Sequence, residues 1–357
     1  MERVFNFNPG PSMLPLPVLE KIQKEMLSYG TTGMSVMEMS HRAKDYLAIY
    51  DETEATLRDL MHISDDYAVL FLHGGATLFF AGVPYNLNVT GKADYIDSGN
   101  FAHGAAVEAA KYSDARIIAS SREDNYTYIP DWTGKLNADA DYVHITTNNT
   151  IFGTHFTKLP EGPAPIVADM SSNILGEVYD VNKFGVIYAG AQKNIGISGM
   201  CVAIIRKDLF GKARKDCPKV MNWEKEAENG SMINTPNTFA IYVAGECMKW
   251  VKAQGGVEGI EVINKQKAAL LYDYIDNSTF YTSPVRKEDR SIMNVPFVTG
   301  NADTDAAFVK FAAANGLAGL KGHRLVGGMR ASIYNAMPME GVQKLVDVMK
   351  QFEMQNK

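Results

Sequence analysis

Residues 186–200 read VIYAGAQKNIGISGM. An apolar run, Val186 to Gly190, is followed by one lysine, Lys193, set among Ala, Gln, Asn, Gly and Ser. Lysine is strongly hydrated and is usually found on the outside of a protein. One placed at the end of a strand that reads as buried loses part of its hydration. Its pKa then falls and more of it is neutral amine. Neutral amine is the form that attacks an aldehyde to make a Schiff base, and pyridoxal phosphate is the commonest aldehyde held in that way.

Working outward from Lys193, strand-like and helix-like segments alternate. Apolar runs at 67–72, 93–97, 115–119, 141–147, 165–169, 185–189 and 201–206 read as strands covered on both faces. Helical spacing predicts helices over 17–29, 44–62, 76–87 and 102–112. Such alternation implies an α/β fold with a mostly parallel sheet. Two long helical patterns, 238–253 and 257–276, flank Gln254-Gly255-Gly256, where the domain junction is placed. Beyond it, strands at 292–298 and 328–333 and helices at 304–314 and 339–353 predict a smaller α+β unit. The organisation expected is an N-terminal arm (1–15) packing with the small domain, a large domain (16–254) and a small C-terminal domain (255–357).

At 357 residues the chain suits about two domains. A net charge of −6 argues against a general nucleic-acid binder but leaves room for a local cationic pocket. Three cysteines with no CxxC pair suit a reducing compartment and exclude a zinc site or a disulfide framework. No run approaches the roughly 18 apolar residues of a membrane span, and no signal peptide is read. A cytoplasmic protein is expected, with no nucleic-acid or membrane partner and no metal.

Three further stretches bear on Lys193. Asp169 ends the apolar strand in PIVADMSSN; pyridoxal chemistry needs an acid against the pyridine nitrogen, since a protonated ring is the better electron sink. His73-Gly74-Gly75-Ala76-Thr77 joins a strand to a helix, and glycines with helix N-terminal N–H groups suit a phosphate. LKGHRLVGGMRASIYNAM (320–337) places Lys321, His323, Arg324 and Arg330 close together, and His41-Arg42 is a second cationic pair. Arginine's planar fork matches a carboxylate bidentately, so the clusters favour a small, multiply anionic substrate.

In order along the chain, FNFNPGPSMLP, GMSVMEMSHR, LHGGAT, VADMSSN, YAGAQKNIG, INTPNTFAIY and KGHRLVGGMRASIYNAMP resemble the phosphoserine aminotransferase family. These are fold-type I pyridoxal-phosphate enzymes of the class IV/V aminotransferase group. The resemblance spans essentially the whole chain. It implies a large cofactor-binding domain with a seven-stranded, mostly parallel sheet covered by helices. It also implies a homodimer with active sites at the subunit interface. The implied reaction is glutamate-dependent amination of 3-phosphohydroxypyruvate to phosphoserine in serine synthesis; in some bacteria the family also serves pyridoxine synthesis through a phosphorylated hydroxythreonine.

Carried over by position, the resemblance makes Lys193 the Schiff-base lysine and Asp169 the partner of the pyridine nitrogen. Ala76, Thr77 and Gln192 would hold the cofactor phosphate, with Asn234 and Thr235 from the partner subunit. Thr150 would touch the region of the ring hydroxyl, Ser171 would support the site and Phe101 would stack on the ring. Arg330 would clamp the substrate α-carboxylate. His41, Arg42, His323 and Arg324 would receive the distal phosphate or glutamate's side-chain carboxylate, some of them from the second subunit. Two departures stand out: many members carry tryptophan where this chain has Phe101, and some carry arginine at Thr77. A second reading is a cysteine-desulfurase-like lyase. That chemistry wants a reactive cysteine on a mobile loop, and Cys217, in ARKDCPKV, is the one with basic neighbours. A third is an anion-binding protein that keeps the fold without the cofactor.

Overall fold

The computed structural model describes residues 3–357. Its centre is a seven-stranded sheet built from β2 (Tyr67–His73), β3 (Lys92–Asp97), β4 (Asp114–Ser120), β5 (Val143–Thr146), β6 (Ile166–Asp169), β7 (Val186–Gly190) and β8 (Met200–Arg206). The order across the sheet is β2-β8-β7-β6-β5-β3-β4. All neighbours are parallel except β8, which runs antiparallel to both β2 and β7.

The predicted near-continuous apolar runs follow from this burial. Alternate residues of every strand but the edge strand β4 serve two different sides; β4 buries only Ala119 and leaves Ile117 exposed. Val69, Phe71, Ile145, Ile187 and Val202 face one side. There they meet α1 (Leu16–Glu25), α2 (Lys44–Met61) and α6 (Thr238–Ala253). Leu70, Tyr95, Val167, Tyr188 and Ala203 face the other, under α3 (Leu78–Asn86), α4 (Asn100–Ala109) and α5 (Trp223–Glu228). Two-sided burial leaves no strand face for polar residues, so no alternation is visible in the sequence.

A second body gathers around α7 (Gly256–Asn277), α8 (Ala302–Ala314), α9 (Met339–Asn356) and the antiparallel pair β9 (Asn294–Phe297) and β11 (Met329–Ser332). The helix α7 serves both bodies: Val257 and Ile260 pack in the large core, Leu271 and Ile275 in the smaller one. The arm joins the smaller body as a strand, β1 (Phe5–Asn6), parallel to β10 (Leu317–Ala318), and buries Phe7 there.

Elements differ from the sequence reading mostly at their ends. The first helix stops at Glu25 rather than Tyr29, because residues 26–34 turn back on themselves, with Tyr29 N–H donating to the Met34 carbonyl at 2.9 Å. The helix expected from Ala76 begins at Leu78, since Gly75, Ala76 and Thr77 form the turn ahead of it. The helix expected from Ala102 begins two residues earlier at Asn100 and ends at Ala109. The strands β1 and β10 and the helix α5 are additional.

Candidate active site

The carboxyl ends of the parallel strands converge on one side of the sheet, the place where open α/β sheets bind ligands. Asp169 is the last residue of β6 and pairs in register with Tyr188 of β7. Three residues past the end of β7 comes Lys193. The reversal from β7 into the antiparallel β8 makes this turn tight: Ala191 N–H donates to the Met200 carbonyl at 3.0 Å, and Gly196 N–H to the Ala191 carbonyl at 2.7 Å. Gly196 is needed there, because a Cβ would sit 3.3 Å from the backbone of Ala244 in α6.

A cavity of about 250 Å³ opens between these strand ends, just below the usual range of roughly 300–1,000 Å³ for small-ligand sites. Its walls include Lys193, Asp169, Ser171, Gln192, Thr150, Phe101, Ala76, Thr77, His323 and Arg330. The sequence had placed these residues together from six separate stretches. Thr150 links two of them: its hydroxyl accepts from Lys193 Nζ at 2.6 Å and its carbonyl accepts from Arg330 Nη1 at 3.0 Å. Lys193 Nζ also lies 5.8 Å from the centre of the Phe101 ring.

The charges are perturbed by burial. The Lys193 ammonium is pulled down to about 8, first by desolvation and then by the Arg330 guanidinium, while Asp169 opposes the shift. The Asp169 carboxyl is pushed up by desolvation, and Ser171 and the Lys193 charge pull it back. Ser171 N–H donates to Asp169 Oδ1 at 2.9 Å. Arg330 is buried and also shifted down by desolvation. The His323 imidazole falls below its ordinary value through desolvation, then Arg330, then Arg324, so it is neutral at pH 7.

Other predicted residues lie outside this cavity. Arg324 is exposed on the same loop as His323. Asn234 and Thr235 are exposed on the segment before α6, where Asn234 Nδ2 is 3.3 Å from His73 Nε2. Arg42 is exposed and His41 is half-buried on the turn before α2.

Several wall residues escaped the sequence reading. Pro9 and Gly10 of the arm reach the cavity, as do Thr146, Asn148 and Ser172. Ser12 fixes the arm there: its N–H donates to the Gln192 carbonyl at 3.1 Å and its hydroxyl to the Lys193 carbonyl at 2.7 Å. The available signal was the NPGP stretch itself, an otherwise unexplained break in an arm.

The cavity fits a compact, polar, anionic cofactor. Thr146, Asn148 and Arg330 line it, and Thr146 Oγ1, Asn148 Oδ1 and Arg330 Nε are buried with no hydrogen-bond partner among the described residues. Such atoms are costly unless something satisfies them. The turn Gly75–Thr77 offers the free N–H groups of a helix start to a phosphate. A buried carboxyl and a lysine of lowered pKa face the same space.

The class-V aminotransferase family model matches residues 4–345. A curated phosphoserine aminotransferase of Listeria monocytogenes is 55% identical over 354 residues, covering 99% of this chain and 97% of that protein. The solved phosphoserine aminotransferase from Bacillus circulans subsp. alkalophilus superposes with a TM-score of 0.97 at 43% identity, with all of both chains covered. A pyridoxal-phosphate-bound phosphoserine aminotransferase from Trichomonas vaginalis superposes at 0.94 with 39% identity, covering 98% of this chain and all of the other. A match across nearly the whole length, on a fold that brings Lys193, Asp169 and Arg330 to one cavity, has one outcome: the chain belongs to the class-V aminotransferase family, whose members work with pyridoxal phosphate.

Proposed function

We propose that this chain is a phosphoserine aminotransferase. It moves an amino group reversibly between L-glutamate and 3-phosphohydroxypyruvate, giving 2-oxoglutarate and O-phospho-L-serine. The observation that carries this reading is the joint placement of Lys193, Asp169 and Arg330 around one cavity, with Thr150 bonded to both Lys193 and Arg330.

Ala76, Thr77 and Gln192 would hold the phosphate of pyridoxal phosphate, Asp169 its ring nitrogen and Phe101 a ring face. When bound, that cofactor supplies a carbon that accepts the amino group and a ring that takes up the electrons left when Cα loses its proton. Lys193 is the base. With its pKa near 8, a useful fraction of Nζ is unprotonated at neutral pH, and a base poised close to the working pH is the effective one. Thr150 Oγ1 fixes where Nζ points. Asp169, at the carboxyl end of β6, would hold a positive charge on the ring nitrogen in place.

Arg330, a wall residue of the cavity, would present its guanidinium to the α-carboxylate that both substrates share. Orienting the Cα–H bond toward Nζ is the entropic part of the catalysis. Neutral His323 takes a proton as a phosphate dianion arrives, which lets one pocket serve a carboxylate and a phosphate.

Asn234, Thr235, His41 and Arg42, outside the cavity in one chain, support a homodimer in which each subunit completes the other's site. The three unpaired cysteines support a cytoplasmic location. Residues 16–254 are read as the cofactor-binding unit and 255–357 as the smaller one, with the arm packed on the latter. The lyase reading loses its footing on Cys217, whose thiol is half-buried and pushed up by desolvation.

The test is a substrate panel with glutamate as donor. Phosphohydroxypyruvate should yield phosphoserine and 2-oxoglutarate in equal amounts. Its four-carbon phosphorylated analogue reports on the pyridoxine branch. Release of sulfide from cysteine, with no glutamate turnover, would reverse the assignment.

A further inference from the structure

Lys267 lies on α7, is wholly buried, and forms no part of the cavity. A buried lysine is costly without a partner, and Lys267 has no carboxylate beside it among the described residues. Instead its Nζ donates to three backbone carbonyls, Ile333 at 3.0 Å, Tyr334 at 2.8 Å and Met337 at 3.0 Å. Three donors and no acceptor is the inventory of an ammonium. Burial pulls its pKa down to about 7, and the three carbonyl dipoles aimed at it act in the opposite sense.

The turn it grips follows β11, the strand that carries Arg330, and contains Asn335. Asn335 N–H donates to the side-chain oxygen of Asn194 at 3.1 Å, and Asn194 is the residue after Lys193. The Asn335 side chain continues the link: its Nδ2 donates to the Leu175 carbonyl at 2.8 Å and its Oδ1 accepts from Asn264 at 2.9 Å. Asn264 sits one helical turn before Lys267 on the same face of α7, and also donates to the Gly176 carbonyl at 2.9 Å. The 333–337 turn is therefore held from below by α7 and is bonded to the segment of the reactive lysine above.

We propose that Lys267 is a positioning residue that sets the spacing between Arg330 and Lys193, acting through the 333–337 turn and the Asn335–Asn194 bond. The proposal rests on the reading of Arg330 as the carboxylate clamp. A methionine at 267 keeps the length but removes the donor shared by the Ile333, Tyr334 and Met337 carbonyls, of which Tyr334 keeps the Met337 N–H at 2.9 Å. The turn then shifts, Arg330 moves with β11, and Lys193 stays with the large sheet.

The experiment is a double-mutant cycle on the holoenzyme, with KM read for both glutamate and phosphohydroxypyruvate. Lys267→Met is expected to raise both KM values about tenfold while cofactor colour per folded chain stays unchanged. In an Arg330→Ala background the same substitution is expected to add nothing further, since residues acting through one contact are not additive. Unchanged KM in Lys267→Met, or an equal rise in both backgrounds, overturns the proposal and leaves Lys267 a purely structural residue. Should Lys267→Met fail to fold, Asn335→Ala takes its place, with an expected rise of about threefold that again vanishes without Arg330; no rise, or an additive one, overturns it equally. An Arg330→Ala variant with normal KM would remove the reading of Arg330 itself, and this proposal with it.

Discussion

Gly10 of the N-terminal arm rests against the side chain of Lys193. A Cβ built on Gly10 would lie 3.3 Å from Lys193 Cγ and 3.4 Å from Gln192 Cγ, and the residue holds φ at +144°. Both facts make glycine hard to replace. Gly10→Ala should destabilise the protein by about 1–3 kcal/mol and lower kcat by displacing Lys193. Thermal melting and steady-state turnover read the two effects separately. A variant with parental melting and kcat would show that the arm is not packed on the lysine.

Lys193→Ala should give a colourless, inactive protein, while the parent is yellow and is bleached by borohydride. A subtler expectation concerns stability. The folded-state pKa of Lys193 lies near 8, below its ordinary 10.5. The unfolded chain therefore binds more protons between those values, and apoprotein stability rises with pH from about 8 to about 10.5 on this account. At pH 7 the buried ammonium is a net cost, so cofactor-free Lys193→Met should melt higher than the cofactor-free parent. Allowing for water entering the cavity, about 1–2 kcal/mol is expected. Melting below the parent at pH 7 would contradict it.

The pH dependence of cofactor capture has the same origin. Capture needs the unprotonated amine. With a pKa near 8, its fraction is roughly 9% at pH 7 and 50% at pH 8, so the rate of reconstitution should rise about fivefold over that unit. Stopped-flow absorbance on mixing apoprotein with pyridoxal phosphate measures this. A flat profile would point to a lysine of much lower pKa, and a rise of about tenfold to one of ordinary pKa.

Arg330→Ala should slow both half-reactions, by about 10²-fold in kcat/KM, since it removes a charge-assisted contact that the two substrates share. Arg330→Lys should not restore activity, because a point charge lacks the fork. His323→Ala and Arg324→Ala should hurt phosphoserine more than glutamate. Equal losses for the two substrates would end that division of labour.

Phe101 packs with Tyr126, Ile151 and Phe152 along one side of the cavity. Phe101→Ala should weaken cofactor retention about tenfold by removing a stacking surface, measured as loss of colour on dialysis. Retention equal to the parent would mean that the ring lies elsewhere.

The sheet was legible because its inner strands are buried on both faces, so runs such as VIYAG and PIVAD stand out from their surroundings. Lys193 and Asp169 were legible for the same reason, as charged residues placed where apolar runs end. What stayed hidden depends on contacts distant in sequence. The two-residue strands β1 and β10 carry no periodicity, yet their pairing steers the arm into the cavity. Asn148 reads as one more residue of a polar loop; only the fold shows its Nδ2 bonded to Ser172 and Asn294. Lys267 sits on a helix whose sequence shows an ordinary amphipathic pattern. Nothing in that pattern announces three carbonyls belonging to residues 333–337.

The pairing of Phe5 with Leu317 has a consequence for biogenesis. A ribosome releases the beginning of this polypeptide long before the part it must grip exists. Until more than three hundred residues have been made, Phe5 and Asn6 have no strand to pair with, and the arm beside Lys193 is tied only through contacts such as those of Ser12. A nascent chain stalled before Leu317 should therefore hold the coenzyme less tightly than the finished protein.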